Sequence, residues 1–372
     1  MFLLNQTLHG RPLLAPVGTA REAAGERAPG LVLSWDHVHA DGVQEGAAAQ
    51  GPLAPMLADP GVTRFRRRIF RHDAAPWVAR GAPESHAAWD ALMNDALAWQ
   101  RDLGTELHIL PSMPLSVSDW PDGLHTLVDA TRRAHRARER DDPDSLLRLS
   151  VSDALLHDER HRRTLLDQIT DLPERIGIAL HVRWARASRG GGLADDAQLS
   201  SMALVVRALA GDDRRVLMIE SGLLGWLSLA WGAWGCTAGL AQATWHRSTE
   251  TVRRRAGQPA PQVAWYFESQ LLHFVRRAAH NRMSQQAGYA ECDCAFCIEL
   301  RPTSAAAWDQ NLAKQHALYR LAELTDRVAA PQLSDRRERV RAAVERARDF
   351  TVGWSLRGED RPSHVDVWLR HL

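Results

Sequence analysis

Three of the chain's four cysteines stand within six positions, in the stretch AECDCAFCIEL over 290–300. Cys292, Cys294 and Cys297 give a C-x-C-x-x-C spacing, too tight for a disulfide framework, whose partners lie well apart in the chain. The spacing suits a metal, because soft thiolates converging on one point are what Zn²⁺ prefers. A structural zinc takes four ligands, so a fourth donor is expected downstream. His316, in LAKQHALYRL, lies on a helical segment 19 residues beyond Cys297, close enough to fold back; His364 and His371 are farther off. Four protein ligands leave no open position for a water, so the expected zinc is structural.

The elements that position this cluster follow from the apolar runs. GLVLSWDHV (30–38), ELHILPSM (106–113), LLRLSVSD (146–153), IGIALHVRW (176–184), RRVLMIES (214–221) and GCTAGLA (235–241) read as buried strands, with QVAWYFES (262–269) a further candidate. Between them, SHAAWDALMNDALAWQRDLG and DDAQLSSMALVVRALAGDD place apolar residues at i, i+3, i+4 spacing, the helical period. Strands alternating with helices imply parallel βαβ units. Six to eight repeats before residue 285 favour an α/β fold of the (β/α)₈ TIM-barrel type over an open sheet. In such a barrel, chemistry sits at the carboxyl ends of strands, which here carry Asp36, Ser152, Asp153, Arg183 and Glu220. The expected organisation is a barrel with an amino-terminal hairpin over 1–285, a zinc-binding subdomain over 286–330 and a helical tail over 331–372.

Charge is balanced, 46 basic against 45 acidic residues in 372, so whole-chain charge points to no partner. Lys314 is the only lysine. The opening MFLLNQTLHG lacks a basic region followed by an apolar one, so no secretory signal is expected. Ser221 to Trp245 carries no charge, but five glycines interrupt it. It reads as a buried helix and a short buried strand rather than a membrane span. Few cysteines at non-disulfide spacing fit a reducing cytoplasm. TRFRRRIFRHD (63–73) crowds five arginines around two phenylalanines. Such a run grips phosphates and stacks bases, or forms a solvated salt-bridged face. Of the tryptophans, Trp226 and Trp245 read as core, whereas Trp35 and Trp184 near strand ends are placed to stack on a base.

A C-x-C-x-x-C cluster followed by a histidine on a helix resembles the zinc signature of the tRNA-guanine transglycosylase family. GRPLLAPVGTA (10–20) resembles that family's amino-terminal hairpin, and APMLADPGVTRF (54–65) its aspartate loop, which puts Asp59 on a catalytic position. An aspartate before Pro-Gly is equally a turn former. The stretch 214–247 is similar to the family's late strand–helix–strand, and TWHRSTETVRRRAG (244–257) to its tRNA phosphate contact. The resemblance covers roughly residues 8 to 325 and implies a barrel, a structural zinc and base exchange on nucleic acid.

It also marks departures. In the family an aspartate at the late strand's end attacks the ribose anomeric carbon, trapping an oxocarbenium-like transition state. Here that position falls at or beside Thr237, and no carboxylate lies between Glu220 and Glu250. Near 111–114, PSMP, the family's base-pocket aspartate is also missing; its usual neighbouring glutamine falls near Ser152 and Asp153. The expected catalytic set is therefore Asp59 with Asp153 or Glu220, and the expected substrate contacts are Asp36, Ser152, Arg183, Arg67 and Arg254. The expected activity is a divergent pentosyltransferase or N-glycosidic-bond chemistry on tRNA or DNA. The alternatives are a non-catalytic accessory subunit, paired as a homodimer or with a catalytic homologue, and a small-molecule glycosidase-type barrel.

Overall fold

Parallel strands covered on both faces need apolar side chains on both, and the strands of this chain have them. The computed structural model describes residues 1–6, 14–34, 56–59, 83, 85–102, 104–115, 117, 120–137, 144–184, 195–239, 264–301 and 308–372. The strands are β1 (Phe2–Gln6), β2 (Gly30–Ser34), β3 (Met56–Asp59), β4 (Leu107–Leu110), the two-residue β5 (Pro114–Leu115), β6 (Ser145–Ser152), β7 (Ile176–Arg183), β8 (Val216–Met218) and β9 (Gly235–Gly239). They form one sheet in the order β4-β3-β2-β1-β9-β8-β7-β6-β5. Every pairing in it is parallel. The sheet curls until β4 also pairs with β6, His108 beside Ser145 and Leu110 beside Leu147.

Period-two alternation sorts the side chains. Leu147, Leu149, Ile178, Leu180, Met218 and Cys236 belong to the large core shared with the helices. Leu3, Val32, Leu57, Leu146, Ala179 and Leu217 belong to a second cluster drawn mostly from the strands, the inner face of the curl. Helices between the strands carry the apolar stripe that covers the outside. His86–Asp102, for example, buries Trp89, Leu92, Met93, Ala96, Leu97 and Gln100. Aspartates cap two of them and the later helix Gln310–Val328: Asp158, Asp195 and Asp309 each accept a backbone N–H from the first turn they precede, which satisfies donors no intrahelical carbonyl reaches.

Two sequence expectations are corrected. Pro16–Thr19, expected at the end of a hairpin ahead of the sheet, lies in the helix Ala15–Ala23, and the sheet begins before it, at Phe2. Proline is tolerated there because a first-turn N–H has no helical acceptor. The candidate strand in QVAWYFES does not join the parallel sheet. Its Trp265–Glu268 (β10) pairs antiparallel with His273–Arg276 (β11), a hairpin that forms the floor of the cysteine cluster. The uncharged stretch from Ser221 behaves as expected: helix Gly222–Ser228, a 3₁₀ turn at Leu229–Trp231, then β9. Among the described residues no helix is long and apolar enough to cross a membrane.

The helix Gln310–Val328, which carries His316, is fixed to the sheet's first helix by Arg21. That side chain is 1 % exposed, pairs with Glu26 and Asp326, and lies over the Tyr319 ring. Trp226 adds a second tie, donating its indole N–H to the Leu324 carbonyl at 3.2 Å. Helix Gly222–Ser228 meets β9 so closely that a Cβ on Gly225 would stand 2.1 Å from Ser221 Oγ and 2.5 Å from Cys236 Cβ. Gly225→Ala is therefore expected to lower stability by about 1–3 kcal/mol, the usual cost of overpacking a core. Denaturant unfolding checks this, and an unchanged midpoint would contradict the packing described.

Candidate metal centre and the polar end of the sheet

Cys292, Cys294 and Cys297 lie before and within the short helix Ala295–Leu300, and His316 reaches them from Gln310–Val328. Their four ligand atoms all fall within 4.8 Å of one another. His316 Nδ1 stands 3.9, 3.3 and 3.1 Å from the sulfurs of Cys292, Cys294 and Cys297. A tetrahedral zinc with its usual Zn–S and Zn–N bonds has edges of about 3.5–3.8 Å, so the cluster fits such an ion with small adjustments. All four cysteines of the chain are free thiols. The fourth, Cys236, packs under the helices, and burial pushes its thiol up to about 12, leaving it an inert core residue.

The surroundings orient the ligands. His316 Nε2 lies 2.8 Å from the Phe267 carbonyl of β10. A carbonyl only accepts, so Nε2 carries a proton and Nδ1 faces the sulfurs, its lone pair available to a metal when the ring is neutral. Tyr266 stacks on the His316 ring at 4.5 Å and places its hydroxyl 3.2 Å from Cys297 Sγ. Burial pushes the Tyr266 phenol up, so it keeps its proton and donates toward that sulfur. Burial disfavours a charged His316, but its hydrogen bonds with Cys292 and Cys294 prevail and raise it to about 9. Hydrogen bonds from Cys294 and Cys297 pull the Cys292 thiol down, and hydrogen bonds with Cys292 and Cys294 push the Cys297 thiol up. The cluster thus collects negative charge and demands a cation, for which a proton and a metal ion compete.

No family model matches this chain, and no curated protein does.

A second polar group lies at the carboxyl ends of β6 to β9. Alternation puts Arg148, Ser150 and Ser152 on the face of β6 that Leu146 shares, and His181 and Arg183 on the face of β7 that Ala179 shares. The register sets Ser150 beside His181 and Ser152 beside Arg183. Ser150 Oγ is 3.1 Å from His181 Nδ1, and His181 Nε2 is 3.5 Å from Glu220 Oε2. Glu220 follows β8 with φ 49°, and its N–H donates to Thr237 Oγ1 at 2.8 Å. A left-handed non-glycine residue costs on the order of 1 kcal/mol or more, so the surroundings hold this turn against its preference.

The expected site residues divide. Asp153 opens a short helix, Asp153–His157; one carboxylate oxygen accepts the Ala154 N–H and the other the Gln198 amide, at 2.8 and 2.9 Å. Arg183 donates to the Leu115 carbonyl; burial lowers its pKa and the nearby Asp153 opposes that. Its Nε and the Ser152 hydroxyl are buried without a hydrogen-bond partner. Ser152, Asp153 and Arg183 thus adjoin, with Glu220 and Thr237 beyond the histidine. Asp59 ends β3 at the register of Ser34, and its side chain lies outside the described residues, as do Asp36, Arg67, Arg254 and Trp35. Trp184, expected to stand open for stacking, is instead 4 % exposed within the core, because its side falls with the outer, helix-covered face. His181 and Ser150 escaped the sequence reading. Their signal was the alternation of SLLRLSVS and IGIALHVR, which puts polar side chains at every second position toward the strand ends.

Purified protein is expected to hold about one zinc per chain, and Cys294→Ser to lose most of it with a drop in melting temperature, because binding energy in such a site is folding energy. A metal-free wild type of undiminished stability would contradict the assignment.

Proposed function

We propose that this protein is a divergent relative of the tRNA-guanine transglycosylases, a complete (β/α)₈ TIM barrel with one structural zinc, acting in the cytoplasm on a base or N-glycosidic bond of tRNA or DNA. The carrying observation is the place of Glu220. The resemblance assigns the family's attacking aspartate to Thr237, and the chain has a threonine there. Glu220 is anchored to that threonine through its own backbone N–H, and its carboxylate meets His181. A carboxylate thus stands one strand away from the place where the family keeps one.

Its chemistry on an N-glycoside would be displacement. A carboxylate oxygen bonds to the anomeric carbon as the bond to the base nitrogen breaks, the electron pair leaves with the base, and the base takes up a proton; an incoming base reverses the sequence. Asp59, at the end of β3, remains the alternative carboxylate for this step, and the Ser152 hydroxyl and Arg183 supply donors near the strand ends. Nucleic-acid phosphates would be held by Arg67 and Arg254. The donor set of three thiols and one imidazole supports zinc as the metal, held by four protein ligands in a structural role.

One observation favours a second reading. The position that the resemblance assigns to the family's nucleophile is Thr237, 0 % exposed and engaged by Glu220, with no carboxylate of its own, as in an accessory subunit paired with a catalytic homologue.

Exchange of labelled guanine into tRNA and into duplex DNA separates the two. The enzyme reading expects turnover by the isolated chain and a loss of roughly a thousandfold in Glu220→Gln. Turnover that needs a co-purifying homologue and ignores Glu220→Gln would establish the accessory reading instead. On the binding side, Arg67→Ala and Arg254→Ala are each expected to reduce the log–log salt slope by about one unit; a slope that neither changes would remove those contacts.

A further inference from the structure

Ser150, His181 and Glu220 stand on three successive strands or their ends, and their exposures rise along the line, 0 %, 1 % and 7 %. Glu220, the most exposed of the three, follows β8 at the carboxyl end of the sheet. Ser150 Oγ touches His181 Nδ1 at 3.1 Å, and His181 Nε2 faces Glu220 Oε2 at 3.5 Å. The backbone of Glu220 is separately pinned by Thr237. We propose that Ser150 and His181 are positioning residues that hold the Glu220 carboxylate in one direction at the strand ends; this rests on reading Glu220 as the working carboxylate.

The donor inventory fixes the protons. His181 Nε2 and the Glu220 carboxylate stand at ion-pair distance without hydrogen-bond geometry; an ionised carboxylate only accepts, so a proton lying between them belongs to Nε2. In the neutral ring Nδ1 then has a lone pair, and the Ser150 hydroxyl, which can rotate, donates to it. The serine selects the tautomer and the imidazole directs the carboxylate. Both residues are fully buried, so neither is assigned contact with a substrate. A glutamate has three rotatable torsions, and orienting its carboxylate before a ligand arrives removes that ordering from the reacting step. Along the same inner faces, Arg148 precedes Ser150 by two residues and Arg183 follows His181 by two, placing cationic groups on either side of the line.

The test is nitrogen-15 histidine spectroscopy of the full, metal-loaded chain, with the His181 signals assigned by their disappearance in His181→Gln. A proton on Nε2 is expected, exchanging at least tenfold faster in Glu220→Gln, where the charged acceptor is gone. Ser150→Ala, which removes a buried hydroxyl without adding bulk, is expected to shift the ring toward a mixture of tautomers. A wild-type ring protonated on Nδ1 alone, or Nε2 exchange that Glu220→Gln leaves unchanged, would overturn the proposal. None of these readings uses turnover. Absence of base exchange would therefore defeat the proposed function while leaving the positioning result to stand or fall by itself.

Discussion

Bringing three thiols and an imidazole within 4.8 Å of one another is the constraint on which the carboxyl-terminal third depends. Such a group accumulates charge in a buried place and stays together only if a cation neutralises it. The elements around it are arranged for that. The β10–β11 hairpin supplies the Phe267 carbonyl that sets the histidine tautomer and the Tyr266 ring that covers it. The histidine's helix is tied by Arg21 and Trp226 to two helices that cover the sheet. The cysteine–histidine cluster therefore gathers the hairpin and two helices around one point that could hold a metal ion.

The sheet answers a different constraint. The curled sheet's inner face is apolar at one end and polar at the other, and part of the polar end is paired within itself. Leu146 and Ala179 give way, along β6 and β7, to Ser150, His181, Ser152 and Arg183. The left-handed turn at Glu220 adds a carboxylate to that end, and a threonine accepts its N–H.

Much of this was legible in the sequence because its signals are local. The cysteine spacing names a metal site without reference to the fold, and the strands from Gly30, Leu107, Ser145, Ile176, Val216 and Gly235 announce themselves as apolar runs. What escaped depends on pairing. Phe2–Gln6 ends in two polar residues and resembles an ordinary amino terminus until β2 and β9 flank it. Met56–Asp59 is four residues between prolines, too short to distinguish from a turn before its ladder with β2 is seen. Trp265–Glu268 has a strand's composition, but nothing in it states that its partner is antiparallel and outside the main sheet. His181 and Ser150 read as isolated polar residues within apolar runs, and only the register makes them neighbours.

X-ray absorption at the zinc edge of the purified, full-length protein tests the central claim most directly. The account predicts a first shell of three sulfurs at about 2.3 Å and one nitrogen at about 2.0 Å, with no coordinated water. A shell of oxygen and nitrogen alone, or sulfur ligands that survive replacement of Cys292, Cys294 and Cys297, would contradict it.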